Sequence, residues 1–426
     1  MPQPHTPQPQ KVVVMGQGYV GLPLAVRAVE VGHTVVGYDP DAGRVKRLLA
    51  GESYVEDIPS EQLAACLDTG RYTPTVDTAA LGGFDTAVIT VPTPLREGVP
   101  DLSYIEDAAR TLAEHLGPGA TVILESTTYP GTTEELVAPI LENGSGLAAG
   151  GRFHLGYSPE RIDPGNPTWT LVNTPKVVSG IDEASLTKVQ GFYDTIVERT
   201  VPVSTTKEAE LTKLLENTFR HVNIALVNEL AMFASDLGID VWEAIEAAST
   251  KPFGYMRFTP GPGVGGHCLP IDPSYLSWRV RRTLGQSFRF VELANDVNDH
   301  MPDYVVRRVT VLLNRHRKAV NGSRVLLLGL TYKKNTSDAR ESPALVVAER
   351  LLALGAEVRA ADPHVLEDAL DRRVVKVDAT AEELEQADVV VLLTDHDTFD
   401  YGLIASHARA VLDTRNRLRA PGVERL

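Results

Sequence analysis

The chain has 426 residues, 43% of them hydrophobic and 23% charged, which is ordinary composition for a globular protein large enough for two or three domains. A formal net charge of −15 excludes nucleic acid or an anionic membrane as a general partner, since both demand a basic face, so an anionic ligand must be held by a local set of donors. Two cysteines, Cys66 and Cys268, supply neither a disulfide framework nor metal-ligand spacing, and no metal is expected.

The start, "MPQPHTPQPQ", has Pro and Gln where a signal peptide would carry positive charge and an apolar stretch, and no apolar run approaches the ~20 residues of a membrane span. Residues 1–10 are therefore expected to be a disordered tail on a cytoplasmic protein. Structure is expected to begin with "KVVVMGQGYVGLPLAVRAVEVGHTVVGYDP", where a strand over Val12 to Met15 runs into Gly16, Gly18 and Gly21, a helix follows, and a second strand ends at Asp39. Glycines in that strand–helix context allow a tight turn, close approach of a pyrophosphate and helix-on-strand packing, while the helix N-terminus offers free N–H groups to phosphate. Asp39 stands where a carboxylate accepts from the adenosine ribose hydroxyls and repels a 2′-phosphate, which favours NAD over NADP. The strands in "FDTAVITVPTP" (84–94) and "ATVILESTT" (120–128) are expected to end in Thr93 and Thr127; such threonines either cap turns or face a ligand at the carboxyl edge of the sheet.

A long helix is predicted over 205–240, with Leu211, Leu214, Leu215, Val222, Leu226 and Leu230 at helical spacing and no Pro or Gly before Gly238. Lys213 and Asn217 are four apart on it and share a face, either solvated or directed to a site. Next comes "GPGVGGHCLPID" (261–272), in which Cys268 ends a glycine-rich loop and Asp272 follows four residues later; the thiol is either a small buried packing group or a nucleophile. The last third repeats the opening plan: "GAEVRAADP" (355–363) echoes "GHTVVGYDP" (32–40), and "ADVVVLLTD" (387–395) echoes "FDTAVITVP". A second Rossmann-like unit from about residue 318 follows, without the glycine triplet and so without a second dinucleotide, but with Lys333, Lys334 and Arg340 after its first strand as a candidate diphosphate site.

Taken in order, "GQGYVGLPLA", "VPTP", "YSPERI", "AELTKLLENTFR", "PGPGVGGHCLPIDP", "LTYKKNTSDARES" and "LLTDHDTFD" resemble the nucleotide-sugar 6-dehydrogenases of the UDP-glucose/GDP-mannose dehydrogenase family, from about Lys11 to the end. The stretch "STKPFGYMRFTPGPGVGGHCLPIDPSYLSW" is similar to the branch acting on UDP-N-acetylglucosamine and related sugars, with UDP-glucose or TDP-glucose as further candidates. The resemblance implies an α/β fold of two Rossmann-like doubly wound domains, 11–204 binding NAD and 318–426 binding the nucleotide sugar, joined by a central helical region, 205–317, that makes a homodimer. It implies four-electron oxidation of a sugar C6 alcohol to a uronic acid, of the kind polysaccharide biosynthesis uses, through a thiohemiacetal and then a thioester on Cys268.

By the same resemblance Lys213 steadies the oxyanion at C6, Asn217 holds the sugar and a water, and Asp272 positions that water or takes its proton. Glu160 serves thioester hydrolysis, and Thr127 lies beside the nicotinamide. Relatives carry a second glutamate where this chain has Pro164. Cofactor positions are Gly16, Gly18, Val20, Gly21, Asp39, Arg44, Thr93, Thr127 and Arg340. Those for the nucleotide sugar are Glu160, Lys213, Asn217, Arg257, Phe258, Thr259, Pro260, Gly261, Gly265 and Lys333. Two rivals remain: a two-electron β-hydroxyacid dehydrogenase, which needs neither thiol nor second α/β domain, and a non-catalytic NAD-binding regulator.

Overall fold

The computed structural model describes residues 8–426 apart from Glu97, Pro164, Gly165, Pro167, His267, Cys268, Pro270 and 366–369. The chain divides into two compact units, Met1–Glu216 and Asn217–Leu426. Among the described residues no helix is long and apolar enough to cross a membrane, and no group of three or more His, Cys, Asp or Glu could hold a metal ion.

In the first unit the opening strand, Lys11–Met15, is a run of valines buried on both faces, the pattern of a central parallel strand. It pairs in parallel with Thr34–Tyr38 on one side and Thr86–Ile89 on the other. Outward from these lie Tyr72–Thr75 at one edge and, on the other side, Thr121–Leu124, His154–Tyr157, Lys176–Gly180 and Thr200–Pro202, making eight strands. The strand Lys176–Gly180 runs antiparallel to His154–Tyr157; every other pair in the sheet is parallel. Strand order reverses between Lys11–Met15 and Thr86–Ile89, the position at which doubly wound sheets open a crevice at their carboxyl ends.

The second unit has a six-stranded, wholly parallel sheet in the order Val375–Lys376, Glu357–Ala361, Arg324–Leu328, Val389–Leu392, Val411–Asp413, Val423–Arg425. The internal echo seen in the sequence extends to hydrogen bonds. Gly16 and Gly329, each just after the first strand of its unit, both have positive φ (92° and 81°), and a Cβ on either would press on a carbonyl oxygen, Thr90 O at 2.9 Å or Thr394 O at 2.3 Å. Asp39 and Asp362, each just after the second strand, turn a carboxylate back onto the N–H of the residue following that glycine, Gln17 at 2.8 Å and Leu330 at 2.6 Å.

The long helix is Thr206–Leu237, stopped by Gly238 at φ 71°, a conformation that favours glycine. Its leucines do not share one environment. Leu214 is fully buried, whereas Leu211, Leu215, Phe219, Leu226, Leu230 and Phe233 are all exposed. A stripe at such spacing lies along one side of a helix, and most of it is left uncovered in the single chain.

Candidate active site

The glycine loop of the first unit separates two kinds of constraint. A Cβ on Gly21 would lie 1.9 Å from Gly16 O and 2.5 Å from the Thr90 hydroxyl, so the first turn of the helix Gly21–Glu30 must be bare for the protein's own packing. Around Gly18, by contrast, no atom lies within 4 Å of a Cβ, so nothing in the protein requires a glycine there. That open side is where a pyrophosphate would approach the N–H groups at the start of the helix. Val20 is the half-buried residue leading into it. The loop is clamped by Gln17, fully buried: its Nε2 donates to Val14 O (2.9 Å), its Oε1 accepts from the Tyr72 hydroxyl (2.6 Å), and its carbonyl accepts from the Tyr54 hydroxyl. Asp39 is buried and accepts from Gln17 N, from Asp41 N (3.0 Å) and from the Arg44 guanidinium (2.8 Å). Three donors leave lone pairs for ribose hydroxyls, and Arg44, on a partly exposed side chain, stands within reach of anything that binds the acid. These residues fit a dinucleotide.

Thr93 and Thr127 lie beyond the strands rather than at their ends. The strands stop at Ile89 and Leu124, and the Thr90 hydroxyl turns onto the carbonyls of Met15 and Gly16, which closes the ladder early. Thr93 is buried and Thr127 half-buried. The segment after Thr127 is pinned to the long helix by Glu210, fully buried, which accepts from Gly131 N (2.5 Å), Thr133 N (2.9 Å) and the Thr133 hydroxyl (2.7 Å). Burial pushes the Glu210 carboxyl up to about 7 against those bonds.

Lys213, one turn further along this helix, is buried and exerts an electrostatic pull on Glu160. Glu160 follows the strand His154–Tyr157, with one oxygen held by the N–H groups of Arg161 (2.7 Å) and Ile162 (2.6 Å) and the other 3.2 Å from Lys176 Nζ. Burial opposes its ionisation, but Lys176, an added hydrogen bond from Glu125 and the Ile162 N–H hold it down at about 2. Lys176 is itself buried and also donates to Glu125, a carboxylate fully out of solvent, whose second oxygen accepts from the Tyr193 hydroxyl (2.8 Å). Burial raises Glu125 to about 7 in spite of Lys176. Neither Glu125 nor Lys176 is among the candidates read from the sequence. Their only local signal is a lysine opening an otherwise apolar strand, "KVVSG".

In the second unit Asn217 Nδ2 donates to Asp272 Oδ2 at 2.5 Å, and Asp272 is buried in the first turn of the helix Asp272–Leu284. The loop before it is anchored by Asn228, which accepts from Gly261 N (2.9 Å) and donates to Asn298 (2.9 Å). Gly261 and Pro260 are buried, Thr259 is half-buried, and Phe258 meets Phe219 edge-on at 5.8 Å. Exposed Arg257 pairs with Glu246. A Cβ on Gly265 would fall 2.5 Å from Glu341 O and 2.8 Å from Tyr332 Cβ, so this glycine packs against the segment that carries Lys333 and Arg340. Lys333 is half-buried; Arg340 forms a two-pronged pair with Asp338 (2.9 and 2.7 Å), and Lys334 reaches Asp397 (3.4 Å). The cationic cluster is thus partly balanced, Arg340 by Asp338 of its own loop and Lys334 by Asp397 of the loop after Val389–Leu392.

One further cation, Arg415, escaped the sequence reading: Nη1 of its guanidinium lies 2.8 Å from where a Gly261 Cβ would be, and its Nε donates to Leu393 O (2.7 Å). Cys268, His267 and Pro164 lie outside the described residues.

Comparison with known proteins finds one family along the chain. The NAD binding domain of the UDP-glucose/GDP-mannose dehydrogenase family matches residues 10–197, its central domain 207–300 and its UDP binding domain 326–420. The chain is 36% identical to a UDP-N-acetyl-D-mannosamine dehydrogenase of Pyrococcus horikoshii, over 97% of each. It is 38% identical to a UDP-N-acetyl-D-glucosamine 6-dehydrogenase of Pseudomonas aeruginosa, over 84% of each. A solved structure of UDP-D-ManNAc dehydrogenase from P. horikoshii is similar at a TM-score of 0.89, with 36% identity over 97% of this chain and 98% of that one. A Gly18 side left open to a pyrophosphate, an Asp39 with lone pairs to spare and a second α/β unit have their explanation there: the chain belongs to the UDP-glucose/GDP-mannose dehydrogenase family and is an NAD-dependent nucleotide-sugar dehydrogenase.

Proposed function

We propose that the chain oxidises the C6 hydroxyl of a UDP-N-acetylhexosamine to the uronic acid, through a thiohemiacetal and a thioester on Cys268. The observation that carries this reading is the Asn217–Asp272 hydrogen bond, which fixes an amide and a buried carboxylate four residues past the cysteine. Support for an N-acetylhexosamine comes from two relatives, one named for the mannosamine sugar and one for the glucosamine. NAD, when bound, accepts one hydride in each of two successive rounds. The thiolate of Cys268 adds to the C6 aldehyde, which keeps the half-oxidised sugar in place and converts the second oxidation product into an acyl group open to water. Lys213 steadies negative charge on the C6 oxygen, Asn217 holds the sugar and orients the water, and Asp272 or Glu160 receives its proton. Thr93, Thr127 and Arg340 are assigned to the cofactor, and Arg257, Lys333 and the 257–261 loop to the nucleotide sugar. Arg415, a guanidinium under Gly261, suits the diphosphate.

The test is to count NADH per nucleotide sugar consumed across UDP-N-acetylmannosamine, UDP-N-acetylglucosamine, UDP-glucose, TDP-glucose and GDP-mannose, each with NAD and with NADP. Two NADH per UDP-N-acetylhexosamine is expected, and a strong preference for NAD because Asp39 repels a 2′-phosphate. One NADH per sugar would return the chain to simple two-electron chemistry. Equal efficiency with NADP would remove Asp39 from the ribose.

The exposed stripe from Leu211 to Phe233 is assigned to a homodimer contact, since a second copy presents the same stripe and a closed pair covers both. Sedimentation velocity at micromolar concentration is expected to give the mass of two chains, and a Leu226→Glu, Leu230→Glu variant the mass of one. A wild-type monomer under those conditions defeats the assignment.

A further inference from the structure

Behind Glu160 lies a fully connected set of buried polar groups on the ends of three adjacent strands. Lys176 opens the strand Lys176–Gly180, Glu125 follows Thr121–Leu124, and Glu160 follows His154–Tyr157. Lys176 donates to both carboxylates and lies 5.3 Å from the centre of the Tyr193 ring, whose hydroxyl donates to Glu125. Each carboxyl also acts on the other electrostatically, so the three ionisable groups titrate together rather than one by one. Such an arrangement is costly to bury for packing alone, because an apolar set of equal volume would serve at least as well. Its one open face is Glu160, whose side chain keeps 12% of its surface while Glu125 keeps none and Lys176 4%.

We propose that Lys176 and Glu125 are positioning residues for Glu160: the lysine fixes one of its oxygens, and the protonation of Glu125 sets how far that lysine quenches Glu160 as a base. The proposal rests on the role given above to Glu160 in thioester hydrolysis. In that step a water oxygen bonds to the acyl carbon, its proton passes to Glu160, and the carbon–sulfur bond breaks with its electron pair returning to the Cys268 sulfur. Among the described residues, the charged and titratable groups acting on Glu160 are Lys176, Glu125, Lys213 and Tyr193; those acting on Glu125 are Lys176, Glu160 and Tyr193. With Glu125 protonated, Lys176 has one anion to neutralise and Glu160 is a weak base. With Glu125 ionised, the lysine is shared between two anions and Glu160 takes a proton more readily. Hydrolysis therefore speeds up as pH rises through about 7, the region in which Glu125 ionises.

The experiment follows decay of the acyl-enzyme by rapid quench and intact mass, with NAD and the nucleotide sugar that the panel identifies, across about pH 5 to 9, which brackets the neutral region where a tuned general base operates. Glu125→Gln keeps shape and imposes the neutral state at every pH. It is expected to decay about tenfold more slowly than the wild type at alkaline pH, the effect of roughly one pKa unit of basicity, with no rise near neutrality. Glu160→Gln should slow decay by about 10²–10⁴-fold, the usual worth of a general base. Lys176→Arg, which keeps the cation, should keep the rise. A Glu125→Gln enzyme with the wild-type pH profile, beside a slow Glu160→Gln, would overturn the proposal and leave the triad a packing device. A Glu160→Gln that decays at the wild-type rate would instead remove Glu160 from hydrolysis, a separate failure.

Discussion

Cys268→Ala is expected to abolish four-electron turnover, with overall rates falling by about 10³-fold or more, while folding and NAD binding persist. The change removes a single sulfur atom from a glycine-rich stretch of sequence, a small loss of volume. Under the proposed mechanism the chemical loss is total for the second oxidation, since without the thiol no thiohemiacetal forms to donate the second hydride. Cys268→Ser is the sharper probe. Its hydroxyl can add to the aldehyde, but the ester that follows resists water far more than a thioester, so a sugar adduct should build up and be visible by intact mass after incubation with NAD and substrate. A Cys268→Ala enzyme that still yields two NADH and free uronic acid near the wild-type rate means that the thiol is not the nucleophile.

Gly18→Ala and Gly21→Ala are expected to separate ligand binding from folding. At Gly18 the added methyl meets no protein atom within 4 Å, so the melting temperature should hold while the dissociation constant for NAD rises by about tenfold or more, about 1.4 kcal/mol, as the methyl enters the path of the pyrophosphate. At Gly21 the methyl is driven to 1.9 Å from Gly16 O, a backbone atom that cannot swing aside. The helix must back away from the first strand, and both stability and NAD affinity should fall, the former by about 1–3 kcal/mol as for an overpacked core. Thermal melts and calorimetric NAD titrations on the two variants read the difference. Equal loss of stability in both would mean that the open side of Gly18 is not a ligand's space.

What could be read from the chain alone divides along a physical line. The glycine loop, Asp39, the helix through Lys213 and Asn217, and the second α/β unit were legible because each depends on residues near one another in sequence, where spacing maps directly onto geometry. The triad of Glu125, Lys176 and Glu160 was only one-third visible, through "SPERI", because its members come from three strands brought side by side by sheet order, and nothing local to "ILESTT" or "TPKVV" announces a partner. Arg415 was hidden for the same reason, lying more than 150 residues beyond the glycine it underlies. The leucines of the long helix show the converse limit: a 3.6-residue period reveals that there are faces, but not which is buried in the chain, and Leu214 and Leu215 parted company on that account.

The two units also show how a repeated scaffold can diverge while its outline is kept. Asp39 and Asp362 occupy the same place after the second strand of each sheet, yet Asp362 is saturated: Leu330 N, Thr331 N, His364 N, Val365 N and the His396 ring all point hydrogens at it, and His396 is fully enclosed. Its charge is held within the protein, and it knots the loop leading to Lys333 onto the sheet. Asp39 has fewer internal partners, one of them the partly exposed Arg44. Of two acids in equivalent positions, one is a rivet inside its own unit and the other keeps lone pairs in reserve, so the same place in two sheets carries two different hydrogen-bonding loads.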